Sequence, residues 1–264
     1  MNEDAGRRAL PPSIELAWGL HEHARRGPKP GLSLERIVGA GIKVAMTEGL
    51  GSVSMGRVAA ELGVGTMSLY RYVPAKDDLL ELMVDTAIGP PPMAELAEGD
   101  WQARLGAWAR RVRACYGRHP WALRVPISAP PIGPNNVAWL EAALQALAAT
   151  RLSEPEKLST VLLLSFFVRS EVTLAADIAA ASAGAPAGFG YGALLAMLTD
   201  AARFPALHQA MAAGAFDEDD DPDGYFDYGL ARIIDGVERL DSARRHQPRP
   251  RRRTVDRGEG HTSG

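Results

Sequence analysis

Residues 53–83 read VSMGRVAAELGVGTMSLYRYVPAKDDLLELM, and this stretch decides the fold. Ser54 suits a helix N-cap, and Val58, Ala59 and Leu62 share one face of the short helix that follows. Gly63-Val64 predicts a tight break, and a second helix is predicted over Gly65–Val73, stopped by Pro74. Val64, Leu69 and Val73 form its inner face, which leaves Thr66, Met67, Ser68, Tyr70, Arg71 and Tyr72 on the other. Short polar, aromatic and basic groups suit base edges, thymine methyls and phosphates. A helix of this size fits the major groove with its N-terminal residues deepest. Lys76, just past Pro74, is placed to meet a phosphate, and Asp77 and Asp78 then open a helix running to Ile88.

Working outward, Ser33 caps a helix whose Leu34, Ile37, Val38, Gly41, Val44 and Ala45 recur at helical spacing, and Gly49 and Gly51 end it. Before it, residues 1–32 predict a short helix, Ile14 to Ala24, and a mobile basic arm, RRGPKPG. After it, apolar periodicity predicts helices at Trp101–Arg118, Pro134–Ala149, Glu154–Ala181, Tyr191–Leu198, Phe204–Ala213 and Tyr225–Ser242. No period-2 strand pattern and no internal repeat stands out. The expected division is an arm over 1–32, a DNA-binding head over 33–80, a helical body over 81–242 and a disordered Arg-rich tail over 243–264. The fold class is therefore all-α, a three-helix helix-turn-helix head plus a larger helical body.

Charge is split along the chain. The net charge is −3, yet residues 25–76 carry eight basic groups against three acids, and residues 77–241 carry twelve against twenty-three. A basic head on an acidic body suits a protein whose head meets a polyanion. Several functions are excluded. The lone Cys115 allows no internal disulfide and no cysteine metal cluster. DEDDDPDG at 217–224 has Leu230 where a calcium loop needs glutamate. GFGYG at 188–192 follows no strand, so it is no dinucleotide loop. No HExxH or local nucleophile signature occurs. An enzyme, a metal site and a cofactor are not expected. Without a leader or a long apolar run, a cytoplasmic protein with no membrane contact is expected.

From Leu34 to Leu80, LERIVGAGIKVAMTEGLGSVSMGRVAAELGVGTMSLYRYVPAKDDLL resembles, without a gap, the head of the tetracycline-repressor family, with LYRYVPAKDDLL its most specific part. The resemblance implies that Ser54 and Arg57 join Thr66, Met67, Ser68, Tyr70, Arg71 and Tyr72 as the DNA-facing set. Tyr70, Tyr72 and Lys76 would hold phosphates, and Thr66, Met67, Ser68 and Arg71 would lie nearer the bases. Gly56 departs from the family's namesake, which has a guanine-reading arginine there, so the operator sequence does not carry over. More loosely, residues 100–122, the PPIGPN turn, 140–153 and 226–240 resemble the C-terminal domain of the tetracycline-repressor branch.

That body implies a homodimer built from two late helices. The candidates for its seam are Leu158, Val161, Leu162, Ser165, Phe166, Val172 and Ala176, with Leu230, Ile233, Ile234 and Val237 from the last helix; ordinary intrachain core is the competing reading. It also implies an internal pocket for a small-molecule effector, with Trp101, Trp108, Tyr116, His119, Trp121, Trp139, Phe166, Phe167 and Arg169 as candidates. Tryptophans at helical spacing read equally as core, and Arg169 as a partner of Glu171 or Asp177. No histidine lies between 120 and 207, so the namesake's magnesium-held drug is not expected. The function implied is a dimeric regulator of transcription, a repressor released from double-stranded operator DNA by a small molecule. Two readings stand beside it: an activator or architectural DNA binder without ligand, and a helical small-molecule-binding protein that has lost DNA binding.

Overall fold

A computed structural model describes residues 12–20, 32–127, 131–184, 190–216 and 223–245. The predicted basic arm and the Arg-rich tail beyond Arg245 lie outside these residues. In chain order the helices are α1 (Pro12–Ala17), α2 (Leu34–Glu48), α3 (Met55–Leu62), α4 (Thr66–Leu69), α5 (Lys76–Ile88), α6 (Met93–Leu96), α7 (Trp101–Arg118), α8 (Pro134–Ala146), α9 (Glu154–Gly184), α10 (Tyr191–Leu198), α11 (Pro205–Ala212) and α12 (Gly224–Arg245). Short 3-10 turns occupy Leu50–Ser52 and Pro120–Arg124. No strand occurs among the described residues.

The head is α2 to α5, closed by local chemistry that the sequence carries openly. Ser33 and Ser54 accept hydrogen bonds from the Arg36 and Arg57 amides, satisfying donors that each helix start leaves unpaired. Gly63 takes the left-handed conformation (φ 67°), which lets α3 end and the chain turn into α4. Ile37, Val44, Val53, Val58, Leu69, Val73, Leu79 and Met83 are wholly buried. Gly41 lets α2 and α5 approach closely: a Cβ there would sit 2.6 Å from Met83 Sδ.

The predicted Gly65–Val73 helix is regular only over Thr66–Leu69. The Tyr72 and Val73 amides both bond to the Leu69 carbonyl, tightening the last turn where Pro74 bars further helix. At the other end of the chain, α1 is shorter than predicted and is docked. Its Ile14 is buried, and the Trp18 indole N–H donates to the Ile132 carbonyl at 2.8 Å. This part of the expected arm packs on α5.

The boundary expected at 80/81 falls inside α5, which belongs to both halves. Its first turns pack in the head, and its last turns lie against α8 and α7. The joint is Asp85, a buried carboxylate at 6% exposure. Gly133 leaves α8 without a side-chain cap, and Asp85 supplies one from another helix. Its Oδ1 accepts from the Asn136 amide at 2.8 Å and from Asn136 Nδ2 at 2.7 Å, and its Oδ2 accepts from the Asn135 amide and Nδ2 at 3.2 and 3.1 Å. A carboxylate at a helix N-terminus is also favoured by the helix dipole. Residue 133 has to be glycine, because a Cβ there would lie 2.3 Å from Asp85 Oδ1. Beyond the joint, α7, α8, α9 and α12 form the body, and Gly229 of α12 seats the Phe167 ring of α9.

Replacing Asp85 with Ala strands three donors at the head–body joint, the Asn135 and Asn136 amides and Asn136 Nδ2, while Asn135 Nδ2 keeps its bond to the residue 85 carbonyl. Denaturant unfolding is expected to show a loss of about 2–4 kcal/mol. A loss under about 1 kcal/mol would mean that the α8 terminus finds other partners and that Asp85 is not the joint.

Candidate DNA interface and ligand-binding body

In the head, Leu69 and Val73 are wholly buried in the hydrophobic core and α4 packs on α3, which fixes its orientation. The opposite side carries Met67, 77% exposed, with Tyr70 and Arg71 also exposed and Thr66 and Ser68 half-buried beside them. Ser54 and Lys76 are exposed at the flanks. The predicted DNA-facing set is thus largely brought together on one surface, with two departures.

Arg57 is the first departure. Its guanidinium is held by Glu48, with Nε 3.1 Å from both carboxylate oxygens, and by Glu61 Oε2 at 2.9 Å. Glu61 also takes the Lys43 ammonium at 2.6 Å. The hydrogen bonds to Glu48 and then Glu61 push the Arg57 pKa further up, and those from Lys43 and then Arg57 hold Glu61 below the usual carboxylate range. Arg57 therefore staples α3 to α2 instead of facing outward. Tyr72 is the second. It is half-buried, and its hydroxyl donates to the Leu32 carbonyl at 3.0 Å, fixing the entry to α2.

The body sorts the predicted ligand residues into core and candidates. Trp101 is core. Trp108 and Trp139 meet edge to face at 6.3 Å, with the Trp108 indole donating to the Trp139 carbonyl and the Trp139 indole to the Gly89 carbonyl. All three are buried, and the Trp108 and Trp139 indoles are satisfied by main-chain carbonyls. Phe167 stacks on Phe226 at 5.5 Å between α9 and α12. Arg169 pairs with neither acid considered for it. Glu171 is taken by Arg113, and Asp177 by Arg124. Arg169 instead donates to the Tyr116 hydroxyl at 3.1 Å, its guanidinium 5.3 Å from that ring's centre.

Two grooves open on the body. One, about 440 Å³, is lined by Leu123, Phe166, Arg169, Ser170, Thr173, Leu174 and Asp177. The other, about 430 Å³, lies among α7, α9 and α12 and is lined by residues including Arg113, Glu171, Asp223 and Phe226. Arg113 there lies 4.5 Å over the Phe226 ring and is bonded to Glu171 at 2.9 and 3.0 Å. Sequence reasoning missed Arg113 and Leu123. Nothing marks Arg113 in the run ARRVRACYGR, because Glu171 lies 58 positions away.

The seam candidates divide as well. Leu158, Leu162 and Phe166 are exposed, whereas Val161, Val172, Leu230 and Val237 are intrachain core. Leu163, Leu174 and Ile178 on α9 and Tyr225 and Tyr228 on α12 are exposed and were not anticipated. Among the described residues no group of His, Cys, Asp and Glu is disposed to hold a metal, and no helix is long and apolar enough to cross a membrane.

Residues 37–83 match the family described as bacterial regulatory proteins, tetR family, and residues 92–240 match the tetracyclin repressor-like C-terminal domain. The chain belongs to the tetR family. The HTH-type transcriptional repressor DrrR1 of Streptomyces coeruleorubidus is 38% identical over 261 residues, covering 94% of this chain and 93% of that one. The HTH-type transcriptional repressor Rv1353c of Mycobacterium tuberculosis is 26% identical over 86% of this chain and 87% of its own. Apo ActR from Streptomyces coelicolor superposes with a TM-score of 0.67 at 27% identity, over 82% of this chain and 99% of that one. ActR in complex with actinorhodin gives 0.66 at 27% identity, over 81% and 99%. As a tetR-family member the chain is a regulator of transcription and not an enzyme, with its helix-turn-helix in α3 and α4.

Tyr72→Phe separates a strut from a DNA contact. The substitution is expected to cost about 1 kcal/mol of stability in thermal or denaturant unfolding, the net worth of one hydrogen bond. Operator affinity should change less than about threefold, well short of the tenfold that about 1.4 kcal/mol would give. An affinity loss with unchanged stability would return Tyr72 to the DNA face.

Proposed function

We propose that this protein is an effector-released repressor that grips a near-palindromic operator as a homodimer. The observation that carries the reading is the two-sidedness of the segment 66–73, α4 and the turn that follows it, with Leu69 and Val73 wholly buried and Met67, Tyr70 and Arg71 exposed. Thr66, Met67, Ser68 and Arg71 read base edges, and Tyr70, Lys76 and Ser54 meet phosphates. One such short element gives weak discrimination. Two, about 34–36 Å apart on successive major-groove faces, give the specificity a repressor needs.

The second copy docks on the exposed apolar stripe of α9, Leu158, Leu162, Phe166, Leu174 and Ile178, beside Tyr228 of α12. A solvent-facing row of large apolar side chains on one helix marks an association surface. A small molecule bound in the body favours a conformer with the heads wrongly spaced, and α5 carries the change, being packed in both halves. A coupling of about 1–3 kcal/mol suffices for release. The ligand complex of ActR supports a small-molecule effector of this kind. Operator binding puts the protein with the nucleoid in the cytoplasm.

The test begins with sequences selected from random DNA by the purified protein. Arg71→Ala and Tyr70→Ala should each weaken binding to the selected operator by roughly 5–150-fold, the worth of about 1–3 kcal/mol. Helical content by circular dichroism and dimer mass by light scattering should be unchanged. Both variants binding as wild type at physiological salt would remove α4 from the DNA.

A further inference from the structure

Arg169 stands in an apolar run of α9, VLLLSFFVRSEVTL, and lines the 440 Å³ groove. It is half-buried, and one of its five N–H donors is used, on the Tyr116 hydroxyl at 3.1 Å. Among the described residues no carboxylate pairs with it. The acids nearest to it along α9 are committed elsewhere, Glu171 to Arg113 and Asp177 to Arg124. The arginines of the other groove are neutralised, Arg110 by Asp227 and Arg113 by Glu171 and Asp223. In a body with twelve basic groups against twenty-three acids, a groove arginine without an acid is the exception. Arg169 is a cation left over on a groove wall. His119 and Trp121, the other candidates near this end of the body, line neither groove.

The surroundings of the guanidinium select what completes it. Tyr116, itself buried, holds it through the hydroxyl and through the ring, whose centre lies 5.3 Å away. A guanidinium held in this way presents the rest of its fork without first being ordered. Two parallel N–H groups match the two oxygens of a carboxylate. A ketone or an alcohol leaves the charge uncompensated, and an ammonium is repelled. Asp177 lines the same groove, so a single negative charge is favoured over the two of a phosphate monoester. Leu123, Phe166 and Leu174 supply the apolar wall, and the groove has the volume of a small-molecule site.

Resting on the effector reading above, we propose that this groove binds a flat aromatic acid, with its carboxylate on Arg169 and its rings against Leu123, Phe166 and Leu174.

The full-length protein is titrated with anthracene-2-carboxylate and with anthracene-2-carboxamide, its neutral isostere, by isothermal calorimetry and by anthracene fluorescence. Wild type should bind the carboxylate about tenfold more tightly than the amide, the equivalent of about 1.4 kcal/mol. Arg169→Gln should weaken the carboxylate about tenfold and leave the amide within about threefold. Arg169→Lys, which keeps the charge and loses the fork, should restore part of the preference. Leu123→Ala should weaken both compounds alike. Equal affinity of wild type for the two compounds, an unchanged preference in Arg169→Gln, or binding of neither compound overturns the assignment. Tyr116→Phe removes the same hydrogen bond and keeps the cation, so the preference should survive in it. Its loss there, as in Arg169→Gln, means that the bond and not the charge matters, and the proposal fails. Dimer mass by light scattering should be unchanged in Arg169→Gln. Dissociation would give the arginine to an acid of the second copy and overturn the proposal. Operator release is followed in parallel. Carboxylate binding that leaves the operator complex intact refutes release and leaves the site standing, whereas release by the carboxylate unchanged in Arg169→Gln refutes the site alone.

Discussion

One buried carboxylate sets the relation between the two halves. Asp85 lies on the last turns of a thirteen-residue helix whose Leu79 and Met83 are wholly buried in the head, and it caps the first helix turn of another body element. Helix N-termini accept an anion readily, because several amides there lack partners. Here the anion comes from a different helix, so satisfying the α8 terminus and fixing the angle of α5 are one event. Gly133 makes room for it, and Trp139 closes the same corner by donating to the Gly89 carbonyl. The Trp18 bond to Ile132 brings the N-terminal segment to the chain just before Gly133. Any rearrangement of the body that disturbs this corner alters the base on which the head stands.

The head was legible in the sequence because its determinants are local. Ser33 and Ser54 cap as their positions predict, Gly63 turns left-handed, and Leu69 and Val73 point inward. What escaped depends on partners distant in the chain. Tyr72 looks like a phosphate ligand until Leu32, 40 residues away, takes its hydroxyl. Asp85 looks like one more acid on the polar side of KDDLLELMVDTAI until the PNN of α8 arrives 50 residues later. The tryptophans carried the least signal. An indole suits a core and a pocket alike, and only the destination of its N–H places Trp108 and Trp139 in the core. The helix limits in the body moved by a few residues at ends where no cap residue stands. Tyr225–Ser242 became Gly224–Arg245, and Pro134–Ala149 became Pro134–Ala146.

Electrostatic footprint and counted charge differ in the head. Of the five basic groups in residues 33–80, Lys43 and Arg57 are neutralised by Glu48 and Glu61 within the α2–α3 pair. These exposed pairs add little stability, because solvent screens them. Their effect is to withdraw two cations from the surface that a polyanion would meet. Arg71 and Lys76 remain exposed beside α4, so the attraction to DNA is concentrated on the same face that carries the side chains suited to base reading. The net count over residues 25–76 already subtracts Glu48 and Glu61, so these pairs redistribute the head's positive charge without changing its sum.

On the proposed function, dimerisation and ligand binding would draw on overlapping surface. Phe166 and Leu174 belong both to the exposed stripe of α9 and to the wall of the 440 Å³ groove. In a single chain that groove is open, its apolar wall in contact with water. A second copy seated along α9 would roof it, turning an open trough into an enclosed space lined by aromatic and aliphatic groups with Arg169 and the Pro120–Arg124 turn at its edge. A ligand held there would gain its apolar burial only in the assembled dimer. The same ligand would then bear on the spacing of the two heads, because the wall it touches is continuous with the surface that sets that spacing. This is the condition under which a small molecule has different affinities for two conformers of the assembly, and without such a difference it shifts nothing.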